Sequence, residues 1–479
     1  MALQTINIGS AANDRSGTSL RAAFDICNDN FAELYDEGNA LPYQIEGTNF
    51  TGSLIIGHTT TGTISSAHYN TGIGIAALDA LTTGDQNVAV GYNVLTATNT
   101  GYGNTAIGSY AGDALTSGYR NVAVGNLALS AEDTHGFNVA IGYAALFSQN
   151  AGADAYNVAV GSSAGTSITT GNENVLIGGL AGDALTTGSA NVAVGYLALS
   201  AEDAHGTNTA IGFKTLRVQD AGANAYNVAV GYQAGENVST GINNVFVGGK
   251  AGLAQTDSNG SVFIGYEAGL SCVTGDQNTY IGYQAGVLAT GGENTFIGYQ
   301  AGESVTTGAD NTLVGNEAGE ALTEGSRNVF MGHEAGEGIT TGGNNVVIGW
   351  NAASSANADL DEAVAIGYNA LSGSGGGTAQ DGSVAIGFGA AGGGANKGVY
   401  MGYRAGDSQT EEGTVAVSGS TVSYNTFTGT HWSRLADNSK PTILKGTVME
   451  SLDAMCDWYN LEFEVTEGGS TFTEKVPHA

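Results

Sequence analysis

The sequence has little positive charge and few prolines. It contains 13 Lys and Arg against 45 Asp and Glu, for a formal net charge of -32. A surface this acidic repels phosphate backbones, so nucleic acid is not an expected partner. Only three of the 479 residues are proline, whereas 77 are glycine. This composition favours a structure with many tight turns and few interruptions of its hydrogen bonding.

Long hydrophobic runs and clustered cysteines are also absent. The longest apolar runs have four to six residues, so we expect no membrane insertion. The opening residues have neither a basic nor an apolar segment, so we expect no signal peptide. Cys27, Cys272 and Cys456 are odd in number and far apart. They predict buried free thiols rather than disulfides or a zinc site.

One pentapeptide, Asn-(Val/Thr)-x-(Val/Ile/Leu/Met)-Gly, recurs along most of the chain. Its usual spacing is seventeen residues, as from Asn87 to Asn104, with occasional steps of sixteen or nineteen. Sixteen copies begin with asparagine, and four degenerate copies begin with Ser261, Ala363, Ser383 and Gly398. The asparagine copies begin at Asn70, Asn87, Asn104, Asn121, Asn138, Asn157, Asn174, Asn191, Asn208, Asn227, Asn244, Asn278, Asn294, Asn311, Asn328 and Asn345.

A longer duplication overlies this repeat. The segment Asn121–Gly161 is nearly copied at Asn191–Gly231. His135 and His205 occupy equivalent places in the two copies, which the duplication itself explains. The nonapeptide calcium signature is absent, so the sequence predicts no metal site and no cofactor.

A unit of seventeen residues predicts one coil of a parallel β-solenoid or β-roll. It is too short and too rich in glycine for a helical hairpin, but it has room for two short strands and two tight turns. We therefore predict a mostly β protein of about twenty coils, assembled as a trimer, with an N-terminal coiled-coil helix and a small C-terminal domain. The predicted domains are an N-terminal attachment segment and connector at 1–69, a shaft at 70–411, and an incomplete C-terminal domain at 412–479.

Side-chain alternation predicts the two faces of each strand. Val and Ile two residues apart should line the inside of the coil, so the residue between them should point outward. That residue is mostly Ala in the early coils, bulky from residue 246 to residue 330, and smaller again after that. We interpret this column as a trimer interface; the alternative is that the column is core. The predicted interface residues of the shaft are Phe246, Phe263, Tyr280, Phe296 and Phe330.

The repeated asparagine predicts a ladder of side-chain amides, in which each Asn bonds to those in the coils above and below. The residues that we assign to this structural ladder are Asn87, Asn104, Asn121, Asn174, Asn191, Asn244, Asn311 and Asn345.

The N-terminal residues 17–36 have the spacing of a coiled-coil helix. Leu20, Phe24, Phe31 and Leu34, together with Cys27, form one apolar seam. A seam of two to three heptads is marginal alone, so we expect it to assemble with partner chains and to form part of the trimer interface.

Two resemblances bear on function. The segment at 6–35, with Ile6-Asn7-Ile8-Gly9 and then Ser19-Leu20-Arg21 and Asn30-Phe31-Ala32-Glu33-Leu34, resembles the virion-attachment segment of tailed-phage fibres. The coils resemble the head repeats of trimeric autotransporter adhesins, which are trimers of parallel β-rolls. The segment 426–434 is similar to the start of chaperone or self-cleaving regions of phage fibres. These resemblances imply a phage tail fibre located on the virion.

The sequence indicates no catalytic site. Ser433 near Lys440 or Lys445, with His431 as another base, would permit self-cleavage, but we interpret these residues as ordinary polar residues on the surface of a small domain. A recurrent tyrosine five residues after the Asn suits either sugar stacking or an interface.

We therefore expect a non-enzymatic homotrimeric fibre. Its N-terminus would bind another tail, baseplate or collar protein, and its distal end a host receptor or glycan. The alternatives are a purely structural collar, whisker or baseplate fibre, and a glycan-depolymerising tailspike.

Overall fold

The structure is a computed structural model. It describes side chains at 51–57, 65–354, 358–372 and 382–387, and backbone alone for strands at 43–45, 398–401, 414–418, 421–425, 460–467 and 470–477. By its contacts the chain divides into two units, Met1–Phe427 and Thr428–Ala479, which are treated separately. The predicted helix at 17–36, with Leu20, Phe24, Phe31 and Leu34, lies outside the described residues.

The first unit contains one sheet built from very short strands. In chain order its described strands are β1 (Tyr43–Ile45), β2 (Leu54–Ile56), β3 (Thr71–Ile73), β4 (Val88–Val90), β5 (Thr105–Ile107), β6 (Val122–Val124), β7 (Val139–Ile141), β8 (Val158–Val160), β9 (Val175–Ile177), β10 (Val192–Val194), β11 (Thr209–Ile211), β12 (Val228–Val230), β13 (Val245–Val247), β14 (Val262–Ile264), β15 (Thr279–Ile281), β16 (Thr295–Ile297), β17 (Thr312–Val314), β18 (Val329–Met331), β19 (Val346–Ile348), β20 (Val364–Ile366), β21 (Val384–Ile386), β22 (Gly398–Met401), β23 (Thr414–Ser418) and β24 (Thr421–Asn425). The second unit contains an antiparallel hairpin of β25 (Asn460–Glu467) and β26 (Ser470–Pro477).

Strands β2 to β22 pair in parallel, each with the next along the chain and without a shift in register. Ala193 of β10, for example, lies beside Ala210 of β11. Strand β1 is antiparallel to β2, and β23 and β24 extend the other end in antiparallel fashion. The structure thus confirms a parallel β-solenoid of about twenty coils. At the usual strand spacing of about 4.8 Å, its length is on the order of 95 Å.

Two details of the coil differ from the sequence-based expectation. Each coil from β2 to β21 has one strand of three residues, and its other described residues form turns and bends rather than a second strand. The stack also begins before the first predicted repeat, because β2 lies within the segment predicted to be a connector. Among the described residues no helix is present.

The middle residue of each strand points into the coil. Each of the five predicted interface residues of the shaft is fully buried within the single chain. A side chain without exposed surface in one chain cannot contact a second chain, so the interface prediction is wrong for this column and the alternative, core, is correct. The residues corrected in this way are Phe246, Phe263, Tyr280, Phe296 and Phe330.

The buried aromatic rings stack along the solenoid. The ring centroids of Phe263 and Tyr280 are 4.8 Å apart with an interplanar angle of 4°. Tyr280 and Phe296 are also 4.8 Å apart, at 14°. Because the coils repeat in register, each ring from Phe246 to Tyr280 meets the ring of the next coil, in an arrangement that aromatic pairs favour.

The turn residue six positions after the strand centre shares the core of the coil with the strand-centre side chain. In every described coil with an aromatic centre this residue is glycine, and where it is leucine the centre is small. Ala193 with Leu199 and Phe330 with Gly336 are examples. A Cβ on Gly336 would lie 2.4 Å from ring atoms of Phe330. Core packing therefore explains why no described coil has a large residue in both columns, since a large residue fits on only one side of the coil.

The glycine that ends each pentapeptide is required by the stacking distance. Gly298 has a φ of 146°, and a Cβ there would lie 2.0 Å from the carbonyl oxygen of Gly315 in the next coil. Side chains other than hydrogen are excluded by both the backbone conformation and this contact. The fixed glycine thus permits the coils to approach closely at the end of every strand.

The predicted asparagine ladder is present in the structure. The backbone N–H of each ladder Asn donates to the Oδ1 of the Asn one coil earlier, at 2.9–3.0 Å for the eight residues singled out from the sequence. The Nδ2 of the same residues donates to a backbone carbonyl of the next coil at 2.6–3.2 Å. These amides are buried, so each ladder Asn supplies both a donor and an acceptor where water is excluded.

Because the strand-centre and turn residues share one core, stability lost at one of them should be restored by a substitution at the other. Phe330→Ala should destabilise the solenoid by about 3–5 kcal/mol, because a buried ring is lost and a cavity remains. Adding Gly336→Leu should restore most of this loss, since it recreates the pairing of Ala193 with Leu199. Denaturant unfolding of the single and double variants tests this. Gly336→Leu alone should destabilise, and a double variant as unstable as the sum of the single variants would contradict the volume balance.

The ladder predicts a second, local effect. Asn311→Ala removes the acceptor of the Asn328 backbone N–H, at 3.0 Å, and the donor to the Gly325 carbonyl, at 2.9 Å. The free energy of unfolding should fall by about 2–4 kcal/mol, because buried polar groups lose their partners. Hydrogen exchange at the Asn328 amide provides the local measurement. The matched control is Asn316→Ala in the following turn, and equal effects of the two variants would show that the ladder is not stabilising.

Candidate interaction surface

The third residue of each strand points away from the core. It is aliphatic or methionine in every described coil from β2 to β21. Nine of these side chains are at least 36% exposed, a large fraction for apolar residues on a sheet face. They are Ile73, Ile107, Ile141, Ile177, Ile211, Ile264, Ile297, Met331 and Ile386.

A second column runs beside these aliphatic residues, two positions after the end of each strand. It is aromatic in ten described coils and Ile, Ser, Asn, Gly or His in the others. Its aromatic members are 36–56% exposed, and several pairs stack from coil to coil. Tyr266 and Tyr283 have ring centroids 5.6 Å apart, and Tyr283 and Tyr299 5.3 Å. The exposed aromatics of this column are Tyr92, Tyr143, Tyr196, Phe213, Tyr232, Tyr266, Tyr283, Tyr299, Trp350 and Tyr368.

The two columns together form what we call the outer stripe. In the described coils neither column contains Asp, Glu, Lys or Arg. The columns are flanked by the first residue of each strand, which in these coils is Val, Thr or Leu. The chain has 45 acidic residues, so their exclusion from this face is a strong bias in composition. The described columns extend over a length on the order of 85 Å. Monomers usually expose apolar side chains singly or in patches of a few hundred Å², which do not extend so far. The outer stripe therefore has the character of a protein interface.

The outer stripe is not predicted from the sequence, because side-chain alternation alone does not fix which strand face is inside. The Val and Ile of the pentapeptide were expected inside and the residue between them outside, and the structure shows the opposite. The available signal was the pairing of strand-centre aromatics with glycine six residues later. Such compensation in size indicates two residues that face each other across one core.

Acidic residues lie on the turns outside the outer stripe. Glu303, Glu320 and Glu337 repeat at the same place in successive coils. Burial, together with the neighbouring carboxylates of Glu317 and Glu303, raises the pKa of Glu320 above its ordinary value. The contribution of the neighbouring carboxylates is the electrostatic repulsion expected where like charges stack from coil to coil. The repetition singles out no carboxylate pair for acid–base chemistry.

Ion pairs and thiols add little chemistry to these surfaces. Glu236 pairs with Arg217 at 2.8 Å and Glu267 with Lys250 at 3.3 Å, each linking adjacent coils. Cys272 is a buried free thiol, as predicted, and burial raises its pKa to about 11. Cys27 and Cys456 lie outside the described residues.

Three groups in the described part of the chain bring potential metal ligands within 4.8 Å of one another. Glu317, His333 and Glu334 form one on an open turn. The other two lie at the duplicated corners, around Glu132 and Glu202, where a carboxylate is buried. The sequence analysis had explained the histidines there by duplication alone.

No protein-family model, no curated protein and no solved structure matches the chain. Within the described residues, no helix has the length and apolar character needed to cross a bilayer.

Proposed function

We propose that the chain forms the shaft of a homotrimeric phage tail fibre that attaches the virion to its host without enzymatic action. The observation that carries the assembly is the uncharged outer stripe on a chain of net charge -32. The resemblance of residues 6–35 to virion-attachment segments supports placing the assembly on a phage. The resemblance of the coils to trimeric adhesin heads supports three copies rather than two.

Cyclic symmetry suits the geometry of the outer stripe. Each chain presents one such stripe along its solenoid, so parallel copies around a common axis can bury all of it. Ile264, Ile297 and Tyr283 would lie near that axis, and the acidic turns would face solvent. Burial of apolar surface would then drive assembly, while the removal of charge from the axis avoids the cost of buried ions.

The proposed mechanism is mechanical and multivalent. A shaft on the order of 95 Å holds the distal end away from the virion. Several weak contacts per fibre, repeated over several fibres, would give tight attachment through effective concentration. The acidic surface, about three times as charged in a trimer, would oppose lateral association of fibres and make host contact dependent on salt.

The proposed trimer predicts the mass of the assembly and a substitution that should dissociate it. The purified chain should have a mass in solution near three times 48.1 kDa. The triple variant Ile264→Glu, Tyr283→Glu, Ile297→Glu should dissociate to the single-chain mass, because it places uncompensated charges along the axis. Light scattering provides the measurement, and circular dichroism shows whether the solenoid persists.

The matched control places the same charges on the exposed turns, as Thr240→Glu, Thr274→Glu and Thr307→Glu. It should remain a trimer. A monomeric wild type would overturn the trimer, and a trimeric axis variant would overturn the outer stripe as its interface.

Attachment is tested separately from assembly. The purified trimer should bind cells that a virion carrying this chain infects, and it should block that infection. Incorporation into the virion without cell binding would favour a structural collar, whisker or baseplate fibre. Release of soluble sugars from the host surface glycan would favour a depolymerase and overturn the non-enzymatic proposal.

A further inference from the structure

The corner between β10 and β11 contains a buried carboxylate in a position that is usually apolar. Glu202 lies eleven residues after its ladder Asn, where other coils have residues such as Leu185, Ile168 or Val238. Its side chain has no exposed surface. Burying a carboxylate is costly unless a donor or a cation compensates for its lost hydration.

Among the described residues, only one of the two carboxylate oxygens of Glu202 has a hydrogen-bond partner. Oε1 of Glu202 accepts a hydrogen bond from the backbone N–H of His205 at 3.1 Å. Oε2 is buried without a hydrogen-bond partner, and so is Nδ1 of His205, which lies 3.6 Å from Oε1. Two potential ligand atoms at one corner therefore lack a hydrogen-bond partner.

Two further carboxylates complete the group. Ligand atoms of Glu202, Asp203, His205 and Asp220 all lie within 4.8 Å of one another. Asp203 and Asp220 are exposed, so an ion can reach the group from solvent. Burial, then the negative charges of Asp220 and Asp203, act against the His205 hydrogen bond and raise the pKa of Glu202 to about 7.

The backbone of this corner is held in place by its neighbours. The carbonyl of His205 accepts a hydrogen bond from Nδ2 of Asn191 at 3.2 Å. The N–H of Gly206 donates to Oδ1 of Asn224 at 3.0 Å. Fixing the segment on both sides reduces the conformational freedom that ligand binding would otherwise have to remove.

We propose that Glu202, Asp203, His205 and Asp220 bind one divalent transition-metal ion, for which Zn²⁺ is the best match. Zn²⁺ takes four ligands and accepts both imidazole nitrogen and carboxylate oxygen. Ca²⁺ takes six to eight ligands that are all oxygens, whereas one of the four ligands here is an imidazole nitrogen. The ion would link two successive coils, because Asp220 follows β11 whereas the other three residues precede it. This proposal is independent of the proposed attachment function.

The duplication supplies an internal control at the equivalent corner, which precedes β7. Glu132, Asp133 and His135 repeat the first three ligands, and Glu132 is likewise buried with an unpartnered Oε2. The position equivalent to Asp220 is Asn150. A neutral amide is a poorer ligand for Zn²⁺ than a carboxylate, so the first corner should bind much more weakly than the second.

The test measures Zn²⁺ alone on the full chain after chelator treatment. Titration calorimetry and metal analysis after dialysis should give one tight site per chain. Asp220→Asn, which copies Asn150 of the first corner, should weaken binding by on the order of 100-fold, since even the loss of an outer-shell partner costs 10–100-fold. At the first corner Nδ1 of His135 lies 2.9 Å from the Thr134 hydroxyl, where the second corner has Ala204. Asn150→Asp together with Thr134→Ala should therefore create a second tight site. Asp257→Asn, on a turn away from both corners, is the control and should leave binding unchanged.

A second readout reports on the site itself. Co²⁺ in place of Zn²⁺ should give visible absorption typical of four-coordinate nitrogen and oxygen ligation, and His205→Gln should abolish it. Retention of tight binding by Asp220→Asn would overturn the proposal, as would two equal sites in the wild type, no binding, or tighter binding of Ca²⁺ than of Zn²⁺.

Discussion

The hydrogen bond from each ladder Asn backbone to the amide of the Asn one coil earlier sets the spacing on which the other features depend. Asn294 and Asn311, for example, are joined in this way at 2.9 Å inside the coil. Because this spacing is that of paired strands, the strand centres, turn glycines and outward side chains each form columns. One local interaction, repeated, thus orders both the buried aromatic stack and the outer stripe.

The sequence was sufficient to predict the fold class, because a period of seventeen residues with glycine and asparagine at fixed places limits the choice to a solenoid. The Asn ladder followed from the same periodicity. The direction of the strand faces did not follow, since Val, Ile and Phe suit either a core or an interface. Phe263 and Ile264 are adjacent and similarly apolar, and only the packing against Gly269 distinguishes the buried one from the exposed one.

The acidic corner could not be found from spacing alone. Glu202 is one of many carboxylates in the sequence, and its burial depends on the path of a turn that has no regular secondary structure. Its coil and the coil of the first corner both have leucine in the turn, at Leu199 and Leu129, which fills the core and leaves the later position free for polar residues. A substitution at one column thus permits new chemistry at another column of the same coil.

The in-register stacking also bears on how such a chain can change in length. Every coil from β2 to β21 presents the same three-residue strand, in register, to its neighbouring coils, so recombination between two copies of the repeat joins compatible strands. The near-copy of Asn121–Gly161 at Asn191–Gly231 has the form that such an event leaves. Gain or loss of whole coils would alter the reach of the solenoid in steps of about 4.8 Å, without a new core and without a break in its outward columns.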